Sequence, residues 1–564
     1  MNKDIYIIFL IANFFLTITF GQKEVLIEDE IQNWTYFDMG NYARNKDSVL
    51  RLNLYLGGSS KLPDDIFLLK NLKFLDISFD YGQLHQDSLF EQLVKLPGLI
   101  GLSLNSCGID SISSNIKKLK KLRYLDLGSN KVRFVPDEFK ALKKLEYLDW
   151  SYNDNETLPI QICYLKSLKT LDISEYDLGQ VPDQIVNLQK LKKIKFNQNR
   201  VIDFSKLFDL LVKIPGINEI YMWGTVNSLP EKIGDLKNLK YLHFNGCGID
   251  SLPFSMTNLK QLEFIDLSSN DIEDLYQIVE ILCQLPALEV INLSDNSSHS
   301  IPTNMGKLNN IKKLEIRTNG LTEISDEIGG LANLEVLDLY GNDIISISDN
   351  VARLYKLKSL NLSVCPRLDF KQVFKNLSGL EQLESLYLDL NNIEELPEEL
   401  FLLTNLKELS IARNKLTELP SQVGKLKALK YFNVSNNRLN ALPIDFVLLQ
   451  QLETLNISAN DFEKIPEPMQ GLQISDLYIG GNRKMTIDVL FSGLIPIKSI
   501  RYLNLEHQEM RTYPVNIEQM RHLKVLHLGF ISSYTFISNE VLDKIILNLP
   551  DTEVKYYGRI KEEE

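Results

Sequence analysis

The 564-residue sequence predicts an α/β solenoid with a parallel β-sheet on its concave face. Short turns, 3-10 segments and a few helices are expected on its convex face. Three observations predict it. A short apolar phrase recurs from residue 49 almost to the end, a proline returns at a fixed distance behind most copies, and the copies leave no room for a separate domain.

The phrase is Leu334-Glu-Val-Leu337-Asp-Leu339-Tyr-Gly-Asn342, which recurs as Leu406-Lys-Glu-Leu409-Ser-Ile411-Ala-Arg-Asn414 and as Leu452-Glu-Thr-Leu455-Asn-Ile457-Ser-Ala-Asn460. There are 21 copies, the first starting at Val49 and the last at Leu523, at a mean spacing near 23.7 residues. Positions one, four and six are apolar in all 21. Positions four and six lie two apart, so on an extended strand both point inward while three, five and seven point outward. A single such strand cannot bury its apolar face, but stacked copies can. Position nine is Asn in 12 copies and Cys in 3 (Cys107, Cys247 and Cys365). A carboxamide there can satisfy backbone groups where the chain turns inside the stack.

Twelve of the 19 prolines stand thirteen or fourteen residues after a copy begins, as in Leu62-Pro63, Leu158-Pro159 and Leu419-Pro420. Proline fixes φ and removes a donor, which suits an extended return segment. Five interior copies, beginning at Leu72, Leu191, Leu262, Leu357 and Ile474, run to about 26 or 27 residues and drop the proline. Their insertions, such as Leu207-Phe208-Asp-Leu210-Leu211-Val-Lys-Ile214, have the apolar spacing of a true helix.

The pattern L-x-x-L-x-L-x-x-N makes residues 49 to 560 resemble the leucine-rich repeat proteins of the 23-residue type. The resemblance implies a horseshoe solenoid that recognises a partner on its concave face without catalysis. The disulfide-bonded caps of animal extracellular members are absent, which points toward a bacterial or intracellular relative. The Leu-Pro-x-x-Ile-Gly-x-Leu phrasing around Leu229–Leu236 and Leu419–Leu426 is also similar to the Ras-group-related members. That similarity implies an alternative: an intracellular signalling scaffold for a small GTPase or phosphatase.

Residues 1–21 read as a signal peptide. An apolar run from Ile5 to Phe20, too short to span a bilayer, leads to Thr19-Phe20-Gly21 and a new N-terminus at Gln22. The expected location is therefore secreted or periplasmic, with no stable membrane span after leader cleavage. Residues 22–48 are expected to cap the stack, Trp34, Phe37, Tyr42 and Ala43 forming a helix over the first copy. The repeats should occupy 49–537. A cap helix carrying Val541, Leu542, Ile545, Ile546 and Leu549, an edge strand over Glu553–Tyr557 and an acidic tail make up 538–564.

Lys and Arg total 61 against 74 Asp and Glu, a net charge of −13, so a nucleic-acid partner is not expected. Five cysteines cannot build a disulfide scaffold over this length. The six histidines, at 85, 243, 299, 507, 522 and 527, form no metal-ligand spacing, and no phosphate loop, nucleophile elbow or kinase signature occurs. The sequence therefore implies neither an enzyme nor a cofactor nor a metal site. Asn-x-Ser triplets such as Asn361-Leu-Ser363 and Asn456-Ile-Ser458 read as by-products of the repeat.

What remains is a protein or glycan ligand on the concave face. Position five carries an acidic row, Asp126, Asp149 and Asp172, with Asp76 two copies earlier. Phe74, Phe79, Tyr124, Tyr147 and Tyr152 run beside it at positions three and eight. The next three copies place Lys193, Lys195 and Asn197, then Glu219, Tyr221 and Trp223, then Tyr241, His243 and Asn245 on the outward face. From this tile, Lys193, Lys195, Tyr221, Trp223, Tyr241 and His243 are the expected partner-binding residues, since displayed aromatics with nearby cations match the make-up of binding hot spots.

Overall fold

The structure, a computed structural model, describes residues 27–32, 36–37, 48–56, 61–79, 86–154, 156–174, 178–199, 202–224, 226, 228–508, 510, 512–530, 537 and 539–557. The expected leader, the tail and Trp34, Tyr42 and Ala43 lie outside these residues. The chain divides into two compact units, Met1–Tyr221 and Met222–Glu564.

In both units every copy contributes one short strand at positions three to five. In the first unit these run from Arg51–Asn53 to Glu219–Tyr221, all parallel and paired position for position, so that Leu52 meets Leu75 and Leu148 meets Leu171. In the second unit the same register runs from Tyr241–His243 to Val525–Phe530. Side chains at positions four and six are buried along both stacks, with Trp150 wholly enclosed at position six against Phe139. The return segments follow the length of the copy. Short copies carry 3-10 turns, many capped by the repeat proline, as at Pro230 and Pro420 with φ of −71°. The five long copies carry eight-residue α-helices: Gln86–Leu93, Phe204–Leu211, Leu275–Leu282, Phe370–Leu377 and Ile487–Leu494. Asp203, Asp274 and Asp369 cap three of them through their carboxylates.

Between strand and return segment the chain turns into the core, and here the polar ladder forms. Position eight takes a left-handed conformation in copy after copy, at Ser129, Tyr152, Thr318, Val364 and Ala459 among others, with φ between 49° and 57°. Non-glycine residues accept this conformation only at a cost. It persists at these positions because the position-eight N–H donates to the position-seven carbonyl of the next copy, as Ser129 does to Ser151 at 2.9 Å. The following asparagine then ties copies together. Asn342 Nδ2 donates to the carbonyls of Ile316 and Leu339, both at 2.8 Å, and its Oδ1 accepts from the N–H groups of Asn319 and Leu321 at 3.0 and 3.1 Å. Where cysteine replaces asparagine, the thiol keeps the donor half of the role: Cys107 Sγ donates to Ile77 O and Cys247 Sγ to Met222 O, each at 3.2 Å.

The N-terminal segment differs from expectation. Phe37 is not helical: Tyr36–Phe37 is a strand that adds in parallel to Arg51–Leu52. The helix lies earlier, at Ile27–Gln32. At the other end a helix, Asn539–Asn548, buries Leu542 and Ile545, and strand Glu553–Tyr557 pairs with Val525–Phe530 across a register shift at His527 and Gly529. Among the described residues no helix is long and apolar enough to cross a membrane.

The ladder yields a graded prediction. Asn342→Ala leaves two buried N–H groups and two carbonyls without their partner and should cost about 3 kcal/mol. Asn342→Cys, which keeps a donor, should cost clearly less. Urea unfolding midpoints of the two variants check the order.

Candidate functional site

The division between the units falls between Tyr221 and Met222, so the expected tile is two half-patches. In the first unit the Tyr221 ring has two ammonium groups near it, both from the neighbouring strand, Lys193 Nζ at 5.6 Å and Lys195 Nζ at 5.8 Å from its ring centre. Its hydroxyl donates to Glu219 Oε1 at 2.7 Å, Lys193 pairs with Glu219 at 3.4 Å, and Lys195 pairs with Asp172 at 3.2 Å. The lysines, tyrosine and buried glutamate therefore hold one another in place. In the second unit Trp223 is 43% exposed and lies against Gly246, where a Cβ would come within 2.6 Å of the indole nitrogen. Gly246 also has φ of +61°, so this position needs glycine twice over. His243 rests on the Phe264 ring at 4.8 Å, and the Tyr241 hydroxyl donates to Glu263 at 3.0 Å.

The aromatics nearer the N-terminus form a continuous ladder along position three. Tyr124 and Tyr147 stack with ring centres 4.2 Å apart and planes 1° from parallel, and Phe74 leans on Tyr124 at 5.3 Å. Phe74 reaches across an intervening copy because that copy has Gly101 at position three; a Cβ there would fall 2.3 Å from the Phe74 ring. The guanidinium of Arg51 covers the far face of Phe74 at 5.1 Å. Burial among neighbouring carboxylates pushes both tyrosine hydroxyls well above their ordinary range, so they remain proton donors.

The helix Ile27–Gln32 sits on this ladder. Ile27 and Ile31 are 1% and 3% exposed and pack with Phe74 and Tyr147, with Tyr124 against the same cluster. Glu30 pairs with Arg123 at 3.1 Å, and Arg51 Nη1 donates to the Ile31 carbonyl at 3.4 Å. Neither the helix nor the two arginines were expected at a site. The signal was present in the sequence as two isoleucines four apart with acids between them, a spacing that gives one apolar helical face. It is too short to stand out as a helix.

The acidic row has a role inside the fold. Asp126, Asp149 and Asp172 each accept the N–H of the residue two ahead, at 2.9, 2.9 and 3.1 Å, closing the turn after the strand. Asn361 and Asn456 do the same for Ser363 and Ser458, so the carboxamide oxygens of those Asn-x-Ser triplets are engaged with their own serines. Burial and the adjacent Asp172 and Asp126 carboxylates push Asp149 up to about 7. Among the described residues no group of His, Cys, Asp or Glu is arranged to hold a metal ion. Because Asp149 binds its proton more tightly in the folded chain, the stability linked to that proton is full below the ordinary carboxylate range. It is lost as pH rises through about 7. Asp149→Asn keeps the acceptor and cannot ionise, so its thermal stability should hold across this window while the wild type declines. The gap at pH 8 should be at most about 4 kcal/mol, three pH units at ~1.4 kcal/mol each. Melting curves from pH 4 to pH 8 check it.

A family model described as a leucine-rich repeat region matches residues 85–213, 220–321 and 272–415, more than half of the chain, and a second, leucine rich repeat, matches 404–462. A search of curated proteins finds no significant match. Among solved structures, a leucine-rich repeat protein of Leptospira interrogans is 28% identical, with 76% of this chain and 94% of that chain covered and a TM-score of 0.48. TLR13 in complex with ssRNA13 is 19% identical over 85% of this chain and 83% of that one, with a TM-score of 0.54. An internalin of Listeria monocytogenes is 20% identical over 61% and 88%, with a TM-score of 0.42. The repeat phrase, the strand from each copy and the family model agree: this chain belongs to the leucine-rich repeat family.

Proposed function

We propose that the chain is a non-catalytic recognition scaffold that holds a protein partner on the open face of its strands. The observation that carries the reading is the construction of that face. Large amphipathic side chains stand on short strands locked by the ladder, with Trp223 displayed on Gly246 and Tyr221 held beside two lysines of the neighbouring strand. Side chains fixed before binding lose little entropy when a partner arrives. Lys193, Lys195 and Tyr221 in the first unit and Trp223, Tyr241 and His243 in the second are the contact residues of this reading. The single-stranded RNA in the TLR13 structure does not carry over, because a net charge of −13 opposes phosphate binding.

The chain is further proposed to act outside the cytoplasm, a reading supported by the apolar run Ile5–Phe20 and the small residues before Gln22. Intact mass of the protein from its native host tests this. A chain beginning at Gln22 in an exported fraction supports it, and a Met1 chain in the cytosol overturns it. For the scaffold, Tyr221→Ala with Trp223→Ala should leave the melting temperature within a few degrees and weaken a partner identified with the wild type at least tenfold, about 1.4 kcal/mol. Equal affinity for the double variant by calorimetry would remove these residues from the contact surface.

A further inference from the structure

The helix Ile27–Gln32 occupies a surface whose aromatic members are already complete without it. Phe74, Tyr124 and Tyr147 lie at outward position three, stack on one another, and are not part of the inward core. A six-residue helix is not stable in water by itself, so this one owes its form to what it touches. Its contacts with the ladder are specific. Ile27 and Ile31, four apart, seat on the aromatic ladder, Glu30 meets Arg123, and Arg51 takes the Ile31 carbonyl at the end of the helix. Charge continues the match. Arg123 also pairs with Glu146 at 2.6 Å, and Glu146 with Lys169 at 3.0 Å, so Glu30 adds one more member to an alternating row of charges across the strands. Asp29, also acidic, faces outward.

We propose that the Phe74–Tyr124–Tyr147 ladder, with Arg51 and Arg123, is a docking site for a short acidic helix bearing two aliphatic anchors four residues apart, and that residues 27–32 fill it in cis. The partner is a protein that carries such a segment, and it binds by displacing the chain's own helix. Two features favour exchange over a permanent cap: the segment is a single six-residue helix, and the rings it covers stand at outward position three, so its removal leaves the inward core intact. The inference deepens the scaffold reading by naming the chemistry of a partner at the first unit's face, and it can fail while the Tyr221 and Trp223 test succeeds.

The test uses the full chain. Ile27→Asp with Ile31→Asp sets two carboxylates against the aromatic rings and should release the helix. A fluorescent peptide of residues 24–35 should then bind this variant in the micromolar range by anisotropy, at least tenfold more tightly than it binds the wild type, whose site is filled. Adding Arg123→Glu to the released variant should weaken the peptide at least tenfold. No peptide binding to the released variant, equal binding to wild type and variant, or indifference to Arg123→Glu would each overturn the proposal. A wild type that exchanges its helix between two copies, seen as a concentration-dependent dimer, would replace the partner with a second copy and overturn it in that form. Hydrogen exchange on the wild type decides the matter without any variant. Amides 27–32 should open under conditions where the Phe74–Asp76 strand stays protected, and exchange of both only on global unfolding would refute displacement.

Discussion

The structure depends on satisfying the backbone where each copy turns inward. A parallel stack needs the chain to leave the strand, enter the core and return, and a buried peptide group without a partner is costly. The asparagine at position nine answers this with one side chain serving two copies, as Asn130 does by donating to Leu104 and Leu127 and accepting from Cys107 and Ile109. Since each bond set spans neighbours, no copy is satisfied alone. This is the basis for treating the stack as a row of coupled units, each supported by those beside it.

With the turn fixed, the two faces are free to differ. The return face accommodates a proline-capped 3-10 turn or an eight-residue helix at a cost of three or four extra residues, because either delivers apolar side chains to the same core. The open face tolerates almost any residue at positions three and five, which leaves it available for recognition. Even there the fold makes claims. Position-five aspartates are amide acceptors first, and burial together with neighbouring carboxylates raises the proton affinity of Asp126 and Asp149.

Recognition by such a face rests on support from below. Tyr221 is held by lysines that are themselves held by Glu219 and Asp172, and Trp223 lies where Gly246 leaves room. Gly101 works the same way on the aromatic ladder: by offering no side chain it lets Phe74 cross to Tyr124 and join four copies into one surface. The helix Ile27–Gln32 exploits that continuity, since its two anchors need rings from copies well separated in sequence.

Periodicity alone was enough to determine the fold class, the strand in every copy and the five copies that carry helices, because each depends on residues close together in the chain. Apolar spacing of two or of three and four is a local property that stacking only reinforces. The displayed aromatics were legible for the same reason, as alternation settles which way they point. What the tertiary structure decided involves partners brought together from different copies. The left-handed turn at position eight is imposed on Tyr152, Thr318 and Val364, which have no preference for it, by hydrogen bonds from the neighbouring copy. The acidic row became a set of turn closures, and Phe37 a strand where a helix was expected, through contacts no linear pattern encodes. The short helix at residues 27–32 exists because a surface assembled from distant strands holds it: six residues cannot meet the entropy of helix formation from their own hydrogen bonds.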